Sequence, residues 1–256
     1  MIDIHTHILP GLDDGSQTLS DSLEMAELAL ESGVDTIIAT PHSNQLGRFE
    51  NFDLVHLKHV FSRLQQALQE EGIPLTLHLG MEIFASEDLC EKIQAGALLS
   101  LNRSRYYLVE FAFDEAPEFI GDILDGMLSV GAIPVIAHPE RYFCVQDTPE
   151  LLYEFREMGA VLQINKGSVF GRFGEEAERT ARFLLENRLA GCVASDAHGA
   201  DYRTTDMRPV RQFLEERYGE AYAQLLVKVN PRRILEDRQI FYEPSPERKR
   251  KRRWFL

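Results

Sequence analysis

The chain has 256 residues, enough for one large hydrophobic core or at most two small domains. Its hydrophobic content of 44% is typical of a globular protein, and no run of about 18 apolar residues predicts a membrane-spanning helix. The formal net charge is −14, although six of the 27 basic residues stand in one run at positions 248–253. The rest of the chain carries 21 basic and 41 acidic residues. Because so acidic a body repels phosphate backbones, no specific nucleic-acid binding is expected.

The cysteines and the N-terminus favour a cytoplasmic protein. Cys90, Cys144 and Cys192 are far apart and odd in number, which fits reduced thiols better than a disulfide framework. The N-terminal MIDIHTH has no basic region that leads into an apolar run. It therefore lacks the pattern of a secretory signal peptide.

Short apolar segments alternate with longer amphipathic segments along the chain. Strands are predicted at 1–4, 34–39, 75–79, 107–111, 133–137, 161–164 and 192–194. Helices are predicted at 19–31, 53–71, 87–95, 118–130, 150–158, 175–187 and 208–229. This alternation predicts an α/β fold in which helices cover a parallel sheet. Seven such units would either close into a barrel related to the eightfold one or form an open, doubly wound sheet.

Polar side chains stand at or just after the end of every predicted strand. In chain order they are His5, His7, His42, Glu82, Glu110, His138, Asn165, Asp196 and His198. The carboxyl ends of parallel strands form one face, where active sites lie in barrels and α/β sheets. A single His or Glu at a strand end is usually just solvated, but seven strand ends with such groups indicate a metal site.

The types of ligand indicate a hydrolytic metal centre. His5 and His7 are two positions apart on a strand and therefore point to one side. Imidazole and carboxylate groups without thiolate suit manganese, iron or zinc in a hydrolytic site better than structural zinc. With Asp13 or Asp14 added, the ligands are too many for one ion, so two or three ions bridged by a carboxylate such as Glu82 are predicted. The remaining histidines, His56, His59 and His78, are predicted to be non-ligands.

Two arginines follow the predicted ligands on the same face. Arg141 comes three residues after His138, and Arg203 comes five residues after His198. A guanidinium group binds phosphate oxygens in a bidentate manner, so both arginines are candidates for phosphate binding. Arg208 lies in the same segment as Arg203 and is the alternative to it, and a simple loop salt bridge is the alternative to phosphate binding at both positions.

Seven motifs in order resemble one protein superfamily. They are IDIHTHILPGLDDG at the N-terminus, TPH at His42, GMEIF at Glu82, VEF at Glu110, AHPER at His138, QIN at Asn165 and SDAH at His198. Together they resemble the polymerase and histidinol phosphatase (PHP) superfamily over about residues 1–240. The DDG and HPER segments resemble its bacterial manganese-dependent protein-tyrosine phosphatases of capsule and exopolysaccharide operons, the CpsB type.

The resemblance implies a distorted seven-stranded parallel (β/α) barrel with three metal sites. It assigns one set of ligands to each site: His5, His7, Glu82 and Asp196; Glu82, Glu110 and His138; Asp14, His42 and His198. It also implies that Arg141 and Arg203 bind phosphate, and His42 and His198 are candidates to assist the leaving group. The cofactor would be manganese as two or three ions, with iron, zinc or cobalt as alternatives.

The implied activity is hydrolysis of phosphotyrosine by a metal-bridging hydroxide. The implied substrates are a membrane-associated bacterial tyrosine kinase and other proteins. Their dephosphorylation would regulate capsule or exopolysaccharide synthesis. Two alternatives stay open, a phosphatase of histidinol phosphate or another small phosphomonoester, and a non-catalytic regulator that binds the kinase. A cysteine-based phosphatase is excluded, because no cysteine has the arginine six residues later that its phosphate loop requires.

The last residues differ in character from the rest of the chain. We predict a phosphatase domain at 1–243 and a disordered polybasic tail at 244–256, with the sequence PSPERKRKRRWFL. Such a tail would make weak contact with anionic lipid and place the protein peripherally at the inner face of the membrane. The alternative is an ordinary solubilising tail.

Overall fold

The computed structural model describes residues 1–244 and contains parallel strands that alternate with helices. The strands are β1 Ile2–Thr6, β2 Thr36–Ala39, β3 His42–Ser43, β4 Thr76–Leu79, β5 Glu82–Phe84, β6 Tyr106–Glu110, β7 Ile133–Ala137, β8 Val161–Asn165 and β9 Cys192–Ala194. The helices are α1 Leu19–Glu31, α2 Leu54–Glu70, α3 Leu89–Gln94, α4 Pro117–Ser129, α5 Phe143–Asp147, α6 Leu151–Met158, α7 Lys166–Val169, α8 Glu175–Glu186, α9 Arg208–Tyr218, α10 Glu220–Gln224 and α11 Asn230–Leu235. Short 3₁₀ turns cover Leu101–Arg103 and Pro139–Arg141, and a π-helical segment covers Leu225–Val229.

Side-chain caps explain where the first two helices, α1 and α2, begin. Thr18 accepts a hydrogen bond from the Asp21 backbone, and the Asp21 carboxylate accepts one from the Thr18 backbone, so the two form a capping box at the start of α1. The Asp53 carboxylate accepts hydrogen bonds from the backbone amides of Val55 and His56 in the first turn of α2. Gly33, with φ +84°, ends the turn after α1, because the left-handed conformation is open to glycine.

All paired strands are parallel, as predicted for an α/β fold. One sheet has the order β1-β2-β4 and the other the order β3-β5-β6-β7-β8-β9. Two predicted strands continue after a two-residue break into the second sheet, which gives nine strands among the described residues where seven were predicted. At the first break Pro41 has no amide to donate to a sheet ladder. The closed seven-stranded barrel stays a prediction.

The first and last strands are in contact. Asp196, after β9, donates its backbone amide to His5 at 2.9 Å, and His7 donates its own amide to Ala197 at 2.9 Å. An isolated parallel bridge joins Thr6 to Ala197. The residues that follow β9 are thereby fixed beside the end of β1.

Alternate strand residues pack into two hydrophobic clusters, so both faces of the sheets are buried. In β7, Val135 and Ala137 belong to the smaller cluster and Ile136 to the larger one. The smaller cluster also contains Ile234 and Ile240 from the C-terminal segment. Asn230 fixes this segment by donating to the backbone oxygens of Gly191 and Phe241, both at 2.7 Å.

The cysteines are free, as the sequence predicted. In the part of the chain from residue 1 to 244, no helix is long and apolar enough to span a membrane. The predicted tail at 244–256 lies outside the described residues from position 245 onward.

Candidate metal centre

The nine predicted metal ligands meet at the carboxyl ends of the strands. Four overlapping groups have ligand atoms within 4.8 Å of one another: His5, His7 and Asp196; His5, Glu82 and His138; His42, Glu82 and Glu110; His7, Asp14, His42 and His198. Asp14, His42 and His198 lie together in the fourth group, with His7 added. The members of the other two predicted sets are also in contact with one another, but they are divided among the first three groups.

Glu82 is the centre of the cluster. Its Oε2 lies 3.2 Å from Nε2 of His5 and 3.2 Å from Nε2 of His7, and 3.0 Å from Nδ1 of His42. Its Oε1 lies 3.1 Å from Nε2 of His138. Two ligands at right angles on one ion, each about 2.1 Å from it, are about 3.0 Å apart. These distances therefore suit ligands of common ions and a bridging role for Glu82.

The orientation of His5 and His7 requires positive charge between them. Nδ1 of His7 donates to Oδ2 of Asp13 at 2.7 Å, and Nδ1 of His5 donates to Oε1 of Gln163 at 2.9 Å. In the neutral rings both Nε2 atoms then carry lone pairs, yet they lie only 3.2 Å apart. Two acceptors at this distance repel unless a proton or a metal cation lies between them. The donor set therefore fits divalent metal ions.

The charges of the cluster strengthen this demand for cations. Burial opposes protonation of His5 and His7, but the carboxylates of Glu82, Asp196 and Asp13 outweigh it and raise the pKa of both imidazoles. Burial and the charge of Glu82 raise the pKa of Glu110 to about 7. Burial lowers the pKa of His138 to about 4, which leaves this imidazole neutral and able to bind a metal at neutral pH.

Asp13 and Asp14 have different positions in the site. Asp13 is buried and accepts hydrogen bonds from Nδ1 of His7, from the His42 amide at 2.9 Å and from the Gly15 amide at 2.9 Å. Asp14 is half-exposed and lies 3.5 Å from Nε2 of both His42 and His198. The geometry therefore favours Asp14 as the ligand and gives Asp13 the role of orienting His7.

Backbone conformation also shapes the centre. His138 has φ +34° and Asp196 has φ +50°, in the left-handed region that non-glycine residues rarely occupy. A Cβ on Gly15 would lie 2.3 Å from the backbone oxygen of His7, so only glycine lets this loop pack against the ligand. Close packing thus holds the ligand-bearing segments in backbone conformations that these residues rarely adopt.

Gln163 and Asn165 support the ligands from β8. Asn165 donates from Nδ2 to Oδ2 of Asp196, and Gln163 orients His5. The sequence pattern predicts Asn165 as a polar strand end but does not predict Gln163. A glutamine inside the buried run Val161–Asn165 was the signal that could have identified it.

A cavity of about 320 Å³ opens over the cluster. Arg141 and Arg203 line it, and each contacts Asp196; Nη1 of Arg141 is 3.7 Å from Oδ2. Arg208 instead pairs with Asp206, with its Nη2 2.8 Å from Oδ2, and does not line the cavity. Of the two alternatives, Arg203 is therefore the one placed to meet a substrate.

Other cavity residues were not predicted. Arg48, in the loop after β3, lies 3.6 Å from Asp14. Phe84, Ala112 and Phe113 form an apolar wall. Their sequence signal is only their position at the end of, or shortly after, strands that carry predicted ligands.

The histidines predicted as non-ligands lie apart from the cluster. His56 and His59 are exposed on α2. Nδ1 of His78 lies 3.0 Å from Oδ1 of Asn102. Among residues 1–244, none of the three belongs to a candidate metal group.

Comparison with known proteins places the chain in a family. The family model for capsular polysaccharide synthesis, CpsB/CapC, matches residues 1–236. The chain belongs to the CpsB/CapC family. Among curated CpsB/CapC-type relatives, the tyrosine-protein phosphatase YwqE of Bacillus subtilis (strain 168) is 38% identical over 252 residues, 98% of each chain. The tyrosine-protein phosphatase CpsB of Streptococcus pneumoniae is 33% identical over 245 residues, 94% of this chain and 100% of the relative.

Solved structures agree with the CpsB/CapC assignment. A crystal structure from the study of YwqE from Bacillus subtilis and CpsB from Streptococcus pneumoniae, described as unique metal-dependent tyrosine phosphatases, matches with a TM-score of 0.90 at 38% identity. The match covers 98% of this chain and 100% of the chain in the crystal structure. A lactonase from Listeria monocytogenes, 13% identical with a TM-score of 0.58 over 93% of this chain and 95% of that chain, shares only the fold.

Proposed function

We propose that this CpsB/CapC chain is a metal-dependent protein-tyrosine phosphatase. One observation carries the proposal: a buried cluster of imidazoles and carboxylates shares a cavity with Arg141 and Arg203. The cluster suits a hydrolytic metal centre, and the arginines suit a phosphate group. The names of the curated relatives and the similarity to a metal-dependent tyrosine phosphatase support phosphotyrosine as the substrate.

The proposed cofactor is manganese, as two or three ions, and the nitrogen and oxygen donors of the cluster, without thiolate, are compatible with it. Iron, zinc and cobalt suit the same donors. The proposed ligand sets are His5, His7, Glu82 and Asp196; Glu82, Glu110 and His138; Asp14, His42 and His198. When bound, such ions lower the pKa of water and neutralise phosphate charge.

The arginines would bind and orient the phosphate group. Their planar forks match phosphate oxygens, and their position beside Asp196 places them at the edge of the cluster. The leaving group is a phenol with a pKa of about 10, so it demands little protonation. Nδ1 of His198 donates a hydrogen bond to the Asp196 backbone oxygen at 3.1 Å. In the neutral ring Nε2 therefore carries a lone pair, and it accepts no hydrogen bond from the described part of the chain. This favours a role for His198 as a metal ligand over a role as proton donor.

The proposed physiological setting follows from the family. Capsular polysaccharide synthesis suggests phosphotyrosine proteins of that process as substrates, a membrane-associated tyrosine kinase among them. We infer a cytoplasmic phosphatase domain at 1–243.

We also infer that the basic run at 248–253, outside the described residues, contacts anionic lipid. Sedimentation with anionic liposomes, with and without residues 247–256, tests the lipid contact; equal sedimentation contradicts it.

Steady-state hydrolysis by the manganese-loaded protein tests the activity. We expect a higher kcat/KM for a phosphotyrosine peptide than for histidinol phosphate. His138→Ala, which removes a proposed ligand, should lose at least 100-fold in turnover. Preference for histidinol phosphate would overturn the proposed substrate, and full turnover by the His138 variant would overturn the ligand assignment.

A further inference from the structure

The ring of Phe173 lies against both arginines of the cavity. The Cζ atom of Arg141 is 4.3 Å from the ring centroid, and the Cζ atom of Arg203 is 5.6 Å from it. Arg141 also lies 4.4 Å from the ring of Phe113, so its guanidinium has aromatic contacts with two rings. Phe173 is half-buried in the loop between α7 and α8, remote in sequence from both arginines.

The ring meets an electrostatic need of the site. Both guanidiniums approach the carboxylate of Asp196, whose Oδ2 also accepts a hydrogen bond from Asn165. The two positive charges are thereby held close together beside one carboxylate. An aromatic face attracts cations through its quadrupole. Phe173 therefore stabilises two like charges close together before any phosphate arrives.

Close packing and hydrogen bonds fix the backbone next to the Phe173 ring. A Cβ on Gly167 would lie 2.7 Å from Cε2 of Phe173, so glycine at this position lets the ring pack against the backbone. The Gly167 amide donates to Oδ1 of Asn165 at 3.0 Å. Oε1 of Glu140 accepts from the Asn165 amide at 2.9 Å and from the Ser168 hydroxyl at 2.6 Å.

Glu140 directly precedes Arg141 in the chain. Its hydrogen bonds therefore tie the 3₁₀ turn that carries Arg141 to the end of β8 and to α7, directly before the loop that carries Phe173. The ring and the guanidinium it contacts are held in one frame by buried polar groups. A ring so fixed restricts the side-chain conformations of the two arginines further than their contacts with Asp196 do alone.

We propose that Phe173 is a positioning residue that preorganises Arg141 and Arg203 for phosphate. It contacts no reacting atom and acts through the two guanidiniums. Fewer arginine conformations in the free protein mean that less entropy is lost when phosphate binds. The inference rests on the proposed function for the role of the arginines, but its consequence is measured by phosphate binding alone.

The test is calorimetric titration of inorganic phosphate into the manganese-loaded protein. Phe173→Leu keeps apolar volume but removes the aromatic face, and we expect phosphate affinity to fall on the order of tenfold. Phe173→Tyr keeps the aromatic face, adds only a hydroxyl group and should retain most of the affinity. Phe170→Leu is the matched control, since Phe170 lies in the same loop and packs on Phe213 at 5.8 Å. It should bind phosphate as the unaltered protein does.

A second arm asks whether the effect passes through the arginines. In an Arg141→Ala background, Phe173→Leu should weaken phosphate binding by a smaller factor than in the unaltered protein. Bound manganese and melting temperature of the Leu and Tyr variants should match those of the unaltered protein. Unchanged phosphate affinity in Phe173→Leu, an equal loss of affinity in Phe173→Tyr, or full additivity with Arg141→Ala would overturn the inference. A protein whose phosphate binding depends on Phe173 but which does not hydrolyse phosphotyrosine would overturn only the proposed function.

Discussion

Asp13→Asn should weaken metal binding although Asp13 is not a proposed ligand. Three donors point at the native carboxylate: Nδ1 of His7 at 2.7 Å and the amides of His42 and Gly15, both at 2.9 Å. An amide side chain has only one oxygen, so at least one donor must face its NH₂ group. The carboxylate charge that holds Nδ1 of His7 protonated, and hence Nε2 free for a metal, is also lost.

The magnitude follows from the bonds that are lost. A hydrogen bond to a charged group contributes about 1.5–3 kcal/mol. Changes to groups that orient metal ligands typically lower metal affinity about 10- to 100-fold. We therefore expect a fall within that range in manganese affinity for the Asp13 variant, measured by competition with a chelating dye.

Asp237→Asn is a matched control. Asp237 is paired with Arg105 at 3.1 Å on the surface, away from the cavity, so its change should leave manganese affinity unaltered. Equal manganese affinities for the Asp13 variant and this control would refute the tautomer argument for His7.

Three further changes test the surroundings of the cluster. Gln163→Leu removes the acceptor of His5 Nδ1 and should lower manganese affinity about tenfold in the same dye competition, and Gln163→Glu should restore it; equal affinity in the Leu variant would contradict this. Gly15→Ala should destabilise the protein by about 1–3 kcal/mol in urea unfolding, because the new Cβ would collide with His7; an unchanged midpoint would show that the loop adapts. Thiol alkylation of the native protein should leave phosphotyrosine hydrolysis intact, since no cysteine lines the cavity in the described chain; loss of turnover would argue for a thiol in the reaction.

The sequence predicted the cluster because its ligands depend on topology. Once the segments ending near His5, Glu82 and His138 are parallel strands, their carboxyl ends must share one face. No side-chain detail is needed for that step. The same topology predicted helices on the outside, and α1 begins at 19 as expected because its capping box is local in sequence.

Other features depend on packing between segments that are far apart in the chain. The breaks after β2 and β4 were not foreseen, since each predicted run continued as a strand in another sheet. The choice between Asp13 and Asp14 required the position of His7 relative to the loop. No sequence pattern identifies Phe173, because its proposed role depends on contacts with two arginines from other segments of the chain.

The most direct test of the account is the metal dependence of phosphotyrosine hydrolysis, with bound metal measured on the same samples. The account predicts that removal of all metal abolishes turnover. It also predicts that activity returns as manganese is added, with saturation at two or three ions per chain. Undiminished hydrolysis by protein shown to be metal-free would contradict it.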